Sequence, residues 1–121
     1  MKKILLIEDE KILSDMYRDR FLQEGFEVIL AFSARDGLTV AKNKTPDLII
    51  LDFLLPMENG IYFLEKRKTI PEITNIPVII FSNYDDPKTK ELAFELGVRE
   101  YLIKTDYTPQ KITEKIKNFL Q

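Results

Sequence analysis

Reactive side chains close four of the short apolar runs in this chain. Glu8 and Asp9 follow the first run, Asp52 follows the third, Ser82 the fourth and Lys104 the fifth. In an open parallel α/β sheet, the carboxyl ends of the strands form one edge, and ligands bind there. If these runs are parallel strands, three carboxylates, one hydroxyl and one ammonium meet at a single edge.

That set of groups suits phosphoryl chemistry assisted by a metal ion. Crowded carboxylates repel one another, so Lys104 can offset one charge and a divalent cation two more. Mg²⁺ fits because it takes oxygen ligands and binds through one or two carboxylates. Phosphoryl transfer needs mainly positioning and charge neutralisation, and a carboxylate is a known phosphoryl acceptor.

Each residue, taken alone, also has an ordinary structural interpretation. The acidic segment 8–10 could cap the first helix, where negative charge suits the helix dipole. Asp52 could open a turn through the segment 55–60, which contains Pro, Asn and Gly. Ser82 could bond loop backbone, and Lys104 could be a solvated strand end. The site is predicted because one edge brings all of them together.

The elements that must position these residues follow from the apolar pattern. Continuous runs of Ile, Leu and Val suit strands that are buried on both faces of a parallel sheet. The second and fifth runs include charged residues and fit edge positions. The runs lie near 3–7, 27–31, 47–51, 77–81 and 100–104.

Helical segments with clear start and stop signals separate the runs. The first extends from Lys11 to Glu24 and stops at Gly25, because glycine favours a helix C-terminus. The other signals are Ser33 as a cap for the second helix, Asp86-Pro87 and Gly97 around the fourth, and Thr108-Pro109 before the fifth. The apolar stripe of the last helix comprises Ile112, Ile116, Phe119 and Leu120.

Alternating strands and helices predict an α/β, doubly wound, five-stranded parallel sheet with a flavodoxin-like (βα)5 arrangement. Right-handed crossovers favour the strand order 2-1-3-4-5. The switch point then falls between Asp9 and Asp52. We expect a single domain over residues 1–121.

Composition excludes several classes of function. The net charge of −2 gives no basic excess for nucleic acid or an anionic membrane surface. Cysteine and histidine are absent, so thiolate sites, a histidine base and a phosphohistidine intermediate are excluded within this chain. The first apolar run is too short for a signal peptide, no run is long enough for a membrane helix, and the cytoplasm is the expected location.

The five positions, with Asp-Phe-Leu-Leu-Pro-Met-Glu-Asn-Gly beginning at Asp52, resemble the receiver domain of bacterial two-component response regulators. The likeness is to the single-domain, chemotaxis-regulator-like kind and covers essentially the whole chain. It implies a signalling switch rather than an enzyme that turns over substrates. The absence of histidine agrees, since the phosphoryl donor must then be another protein.

The resemblance implies a role for each residue of the edge. Asp52 would accept the phosphoryl group from a histidine kinase or a histidine phosphotransfer protein. Asp9 and Asp52 would ligate Mg²⁺ or Mn²⁺, with Glu8 acting through water and the backbone carbonyl of Leu54 as a further ligand.

The remaining implied roles concern recognition of the phosphoryl group. Ser82 would move to hydrogen-bond a phosphoryl oxygen, and Lys104 would pair with it. Tyr101 matches the aromatic switch that turns inward when the hydroxyl moves. The face of the fourth helix, fifth strand and fifth helix would then change and regulate an output protein or output domain.

Two features depart from the family pattern. The residue after the strand-5 lysine is usually Pro in this family, often after a cis bond, but here it is Thr105. A cis bond before a non-proline residue costs about 2.5–4 kcal/mol, so we expect a trans, rearranged loop or a strained one.

Leu54 and Tyr84 occupy positions that, in this family, tune hydrolysis of the acyl phosphate. Leu54 cannot orient water, the Tyr84 ring could cover the site and Asn83 narrows access, so we expect a long-lived phosphoryl group.

The fourth helix has one apolar residue off its expected stripe. Leu92 and Leu96 are predicted to face inward, which leaves Phe94 about 200° away from Leu92. Beside Lys90 and Tyr101, Phe94 could anchor an output partner or a homodimer, or its exposure could be incidental.

Three other functions compete with the switch. A Mg²⁺-dependent phosphohydrolase with an aspartyl-phosphate would usually have a second acid at position 54 and a substrate cap. A flavodoxin-like FMN carrier would have a Ser/Thr/Gly-rich loop in place of the acidic segment 8–10. A degenerate receiver would serve as a constitutive interaction module. Whether the chain is a complete regulator or the receiver of a longer protein stays open.

Overall fold

The computed structural model describes all of residues 1–121, which form a five-stranded parallel sheet in the order β2-β1-β3-β4-β5. The predicted topology is therefore confirmed. The third strand begins one residue later than predicted, and the fifth ends one residue earlier. The fourth is shifted by one residue toward the C-terminus. The strands are β1 (Lys3–Ile7), β2 (Glu27–Ala31), β3 (Leu48–Leu51), β4 (Val78–Ser82) and β5 (Glu100–Ile103).

Five α-helices alternate with the strands, and most of the predicted signals are found at their ends. Gly25 and Gly97 follow their helices with φ of 91° and 96°, a backbone that glycine adopts without strain. Ser33, Asp86 and Thr108 each accept a backbone hydrogen bond as N-caps. The helices are α1 (Lys11–Gln23), α2 (Ala34–Lys44), α3 (Gly60–Lys68), α4 (Pro87–Glu95) and α5 (Pro109–Phe119).

The core lies on both faces of the sheet, because successive side chains of a strand point to opposite sides. On β3, Leu48 and Ile50 pack with the residues of α1 and α5, whereas Ile49 and Leu51 pack on the other face with α2 and α3. The interior of β3 and β4 is fully buried, while β2 and β5 are partly exposed at the edges, as expected. No helix in the structure is both long enough and apolar enough to cross a membrane.

Helix α4 differs from the prediction. Leu92 is 40% exposed, and Ala93 is the fully buried residue of the helix. Leu96 packs against the core only in part. The helix is therefore rotated by about one residue from the predicted orientation, because a small residue lets it approach the sheet closely.

The start of helix α3 packs directly on the backbone beside Asp52. A Cβ atom on Gly60 would lie 3.1 Å from the Cα of Phe53, and the Gly60 amide donates to the Phe53 carbonyl at 2.9 Å. Asn59 accepts hydrogen bonds from the amides of Ile61 and Tyr62 and so caps the same helix. This close contact fixes the segment that follows β3 at the functional edge.

Candidate functional site

A single cleft of about 360 Å³ opens at the carboxyl edge of the sheet. It lies where β1, β3, β4 and β5 end, which is the edge that the sequence predicts. Its lining is almost entirely polar, with one apolar side chain. The lining residues are Asp9, Glu10, Asp52, Leu54, Ser82, Asn83 and Lys104.

Lys104 joins two buried carboxylates beside this cleft. Its Nζ donates to Glu8 Oε1 and, at 2.9 Å, to Asp52 Oδ2. The Glu8 and Asp52 side chains are 2% and 9% exposed, and the Lys104 side chain is 12% exposed. Because buried charges require partners, the lysine is the residue that makes two acids tolerable at this depth.

Burial and the ion pairs shift the pKa values of these groups. Burial raises the pKa of Glu8 above its usual value, and the charge of Asp52 adds to the rise, while the hydrogen bond from Lys104 opposes it. Burial on its own lowers the pKa of the Lys104 ammonium. The bond to Glu8 and the charge of Asp52 outweigh that effect and raise its pKa. The rise at Glu8 therefore follows mainly from burial of its carboxylate, whereas the rise at Lys104 follows from its two carboxylate partners.

A third carboxylate completes an acidic cluster. One oxygen each from Glu8, Asp9 and Asp52 lies within 4.8 Å of the others, and Asp9 is exposed at the mouth of the cleft. With one amine against three acids, the cluster keeps two uncompensated negative charges. That charge and the oxygen donors fit a hard divalent cation.

The acidic segment 8–10 does not cap helix α1 with its side chains. Glu10 is the N-cap residue and makes no side-chain capping bond. Glu8 Oε2 instead accepts from the Glu10 amide at 3.1 Å, which orients the buried carboxylate. Side-chain capping by this segment is therefore not observed, and the side chains of Glu8 and Asp9 instead contribute to the acidic cluster.

The segment after β3 holds Asp52 from the other side. The Leu54 amide donates to Asp52 Oδ1 at 3.2 Å, so each Asp52 oxygen has a partner. Leu54 is 52% exposed and is the one apolar residue that lines the cleft. No polar side chain at this position reaches the carboxylate.

Ser82, Tyr84 and Tyr101 form a connected series of hydrogen bonds. The Ser82 hydroxyl accepts from the Tyr84 amide at 3.2 Å, and the Tyr101 hydroxyl donates to the Tyr84 carbonyl at 2.6 Å. Burial raises the pKa of Tyr101 to about 12. Its hydroxyl therefore stays protonated and available as a donor at neutral pH.

The expectation that the Tyr84 ring covers the cleft is wrong. The ring stacks on Phe53, with centroids 4.7 Å apart and an interplanar angle of 11°, and Tyr84 is not among the lining residues. Offset stacking of this kind is favourable beyond the area it buries. The stack therefore draws the ring to one side of the cleft.

The peptide bond between Lys104 and Thr105 is trans, as are all the others in the chain. Of the two expectations for this loop, the rearranged trans form is observed: residues Lys104–Asp106 form a short 3₁₀ turn. The Thr105 amide donates to Asn83 Oδ1 at 3.0 Å. Lys104 still reaches the carboxylates from this altered loop.

Of the residues predicted for a partner surface, Lys90 and Tyr101 lie close together, and Phe94 lies one helical turn from Lys90 on α4. Lys90 Nζ lies 5.8 Å from the centroid of the Tyr101 ring and pairs with Asp85. Phe94 is 51% exposed on α4, as expected, and Leu92 on the same helix is also exposed.

Sequence reasoning gave Glu10 no role in the site, and it gave Asn83 only the role of narrowing access. Glu10 lines the cleft, and its place beside Glu8 and Asp9 was the available signal. The bond between Asn83 and Thr105 links residues 22 apart in sequence. Nothing in the sequence signals that contact, although an amide acceptor and a non-proline donor are both required for it.

Comparisons with known proteins bear on this geometry. The sequence model of the response regulator receiver domain matches residues 4–117. The uncharacterized transcriptional regulatory protein YcbL of Bacillus subtilis (strain 168) is 33% identical over 113 residues, which cover 93% of this chain and 48% of that protein. The chain belongs to the receiver domain family.

Solved structures of receivers agree with this assignment. The CheY-like response regulator receiver domain protein from Methanospirillum hungatei JF-1 has a TM-score of 0.89 at 29% identity, covering 99% of this chain and 94% of that one. The Mn(2+)-bound form of response regulator Rcp1 has a TM-score of 0.83 at 26% identity, with coverages of 99% and 94%. The receiver spans about half the length of the curated relatives it matches.

Family membership confirms the fold and the general function. Receivers are phosphorylation-dependent switches of two-component systems rather than classical enzymes, and they act between a phosphodonor and an output partner. They bind Mg²⁺ through acidic residues, and the cluster of Glu8, Asp9 and Asp52 supplies such residues here.

Removing the amine from this receiver should expose how much the site depends on it. We expect Lys104→Met to lower the free energy of unfolding by about 3 kcal/mol near neutral pH, since a buried carboxylate loses its partner. The pKa of Glu8 lies above its usual value, and without the amine it rises further. Stability of the variant therefore falls as pH rises through that pKa, so the loss is larger at about pH 8 than at about pH 4.5.

Chemical denaturation at the two pH values measures this difference. Lys111→Met, at an exposed position of helix α5, is the matched control and should change stability little at either pH. A Lys104→Met loss that is small, or that does not depend on pH, would contradict the account.

Proposed function

We propose that Asp52 is the phosphoacceptor of this receiver. The observation that carries the proposal is the Asp52 carboxylate on the wall of a polar cleft, paired with Lys104 and grouped with Glu8 and Asp9. An Asp52 oxygen attacks the phosphorus of a phosphohistidine on a histidine kinase or phosphotransfer protein. A P–O bond forms, the P–N bond breaks, and the histidine nitrogen keeps the electron pair. The product is an acyl phosphate.

Different groups of the chain would hold the metal ion and bind the phosphoryl group in this reaction. Asp9, Asp52, the backbone carbonyl of Leu54 and, through water, Glu8 would hold Mg²⁺ or Mn²⁺, which neutralises phosphoryl oxygens when bound. The Mn(2+)-bound form of Rcp1, a relative of this chain, supports a divalent cation here. Lys104 supplies the fixed positive charge and Ser82 the hydroxyl.

Phosphorylation would shift the equilibrium between two arrangements of the segment after β4. The phosphoryl group adds about −1.5 to −2 charges and three acceptor oxygens. When Ser82 turns to donate to one of them, its bond from the Tyr84 amide must change. The Tyr84 carbonyl is the acceptor for Tyr101, so the aromatic switch responds to the same movement. New contacts made only in the phosphorylated state provide the differential affinity that a population shift requires.

The first test is direct phosphorylation with a small donor. We expect acetyl phosphate and Mg²⁺ to add one phosphate-sized mass to the wild type, measured by intact mass spectrometry, because the site supplies positioning and charge neutralisation. Asp52→Asn should gain none, and chelation of the metal should abolish the gain.

Asp19→Asn, at an exposed position of helix α1, is the matched control and should be phosphorylated like the wild type. Absence of any gain in the wild type would favour the degenerate receiver. A gain that persists in Asp52→Asn would move the acceptor to another residue.

We also propose that the phosphoryl group is long-lived. Leu54 lines the cleft and has no polar atom to orient a hydrolytic water. We expect Leu54→Asn to accelerate autodephosphorylation by up to about tenfold, the effect of about 1.4 kcal/mol on the barrier. Decay of the phosphorylated mass after removal of the donor measures the rate.

Leu54→Met is the control for this prediction because it keeps an apolar side chain of similar size. Equal decay of the Asn and Met variants would contradict a role for position 54. Tyr84→Ala should have the smaller effect, since its ring stacks on Phe53 and lies off the cleft.

The output surface is proposed to include Lys90, Phe94 and Tyr101. Phe94 is half exposed on α4, one helical turn after Lys90, whose Nζ lies over the Tyr101 ring. Either an output protein or a second copy of the chain could bury it.

Sedimentation of the Mg²⁺–beryllofluoride form separates these two occupants. We expect a homodimer through this face to weaken in Phe94→Ala and to be unchanged in Leu22→Ala, a residue of similar exposure on α1. The beryllofluoride form of the wild type sedimenting as a monomer would exclude the homodimer. An equal effect of both substitutions would show that Phe94 has no specific role.

A further inference from the structure

The hydrogen-bonded ladder between β4 and β5 ends at the pair Ser82 and Ile103. Asn83 and Lys104 are the next residues of the two chains. One step further, the Thr105 amide donates to Asn83 Oδ1 at 3.0 Å. The Asn83 side chain therefore links the two segments beyond the end of the ladder. Lys104 lies between two fixed points, the last ladder pair and this hydrogen bond.

Those fixed points matter because Lys104 begins a new turn. Its carbonyl accepts from the Tyr107 amide at 3.1 Å, so the backbone changes from strand to 3₁₀ conformation at the lysine itself. A lysine side chain is flexible and loses rotamer freedom when it is held in one place. Because the backbone is fixed on both sides of Lys104, the side chain has less conformational freedom left to lose when its amine reaches a site.

The bond depends on the types of both residues. Proline at position 105 would have no amide hydrogen to donate. A small apolar residue at position 83 would offer no acceptor. Asn83 also lines the cleft and directly follows Ser82, so one residue links the end of β4 to the turn that begins at Lys104.

We propose that Asn83 is a positioning residue that holds the Lys104 backbone through Thr105, so that the amine meets a phosphoryl group on Asp52. The inference rests on the proposed function of Asp52 and Lys104. Both ends of the bond are exposed, so substitutions there leave the core intact.

Beryllofluoride with Mg²⁺ is a suitable probe, since it forms a phosphoryl analogue on carboxylates. Loss of one hydrogen bond is worth about 0.5–1.5 kcal/mol, so we expect Asn83→Ala to bind the probe about 2- to 10-fold more weakly by calorimetry. Thr105→Ala keeps the amide and should stay within about twofold of the wild type.

A second comparison identifies the lysine as the group being positioned. In a Lys104→Met background, Asn83→Ala should cause no further loss, because the interaction it supports is already gone. The same fold-loss in both backgrounds would overturn the proposal, since Asn83 would then act independently of Lys104. No loss in the wild-type background would overturn it too.

Hydrogen exchange of the Thr105 amide tests the bond without any ligand. We expect the amide to be protected in the wild type and to exchange faster in Asn83→Ala. Equal exchange in the two proteins would overturn the inference. If the wild type does not bind beryllofluoride, the proposed function fails and this inference with it, whereas wild-type binding that Asn83→Ala leaves unchanged overturns this inference alone.

Discussion

The site depends on one amine that serves two buried acids. Parallel strands deliver Glu8, Asp52 and Lys104 to the same edge, and the lysine pairs with both carboxylates. Desolvated ion pairs are often no more stable than apolar residues of the same volume. A fold that needed only stability could fill this position with aliphatic side chains, as the rest of the sheet does. The charges are therefore best explained by the chemistry of the edge.

The charge balance of the edge also limits how the switch can work. The three acids exceed the one amine by two charges, which a divalent cation matches, and a phosphoryl group then adds about −1.5 to −2 more. Lys104 cannot neutralise Glu8, Asp52 and the phosphoryl group to the same extent. Moving an equilibrium from 1:99 to 99:1 takes about 5.5 kcal/mol, more than one or two new hydrogen bonds contribute. A partial shift that an output partner completes agrees with these magnitudes.

The sequence predicts the fold and the residues of the edge well, because both follow from strong local patterns. Buried strands are continuous apolar runs, and the residue after each run must lie at the carboxyl edge. Details set by packing were less predictable. Ala93 rather than Leu92 faces the core, since the closest approach of a helix is decided by volume across the interface. The Tyr84 ring was misplaced for a similar reason: stacking on Phe53 is a contact between residues 31 positions apart.

Hydrogen bonds of the segment after β4 connect the site to β5 and to the turn that follows β5. Ser82 is tied to Tyr84, Tyr84 is tied to Tyr101, and Asn83 is tied to the turn that starts at Lys104. Three consecutive residues thus supply the hydroxyl, the acceptor for the turn that begins at Lys104, and the acceptor for the aromatic residue of the proposed switch. Because the three residues are consecutive, a backbone shift that brings Ser82 toward a phosphoryl group would also disturb the hydrogen bonds of Asn83 and Tyr84. The same stretch leads through Asp85 and Asp86 into α4, which carries the exposed Phe94, so a backbone shift here would be passed to the start of that helix.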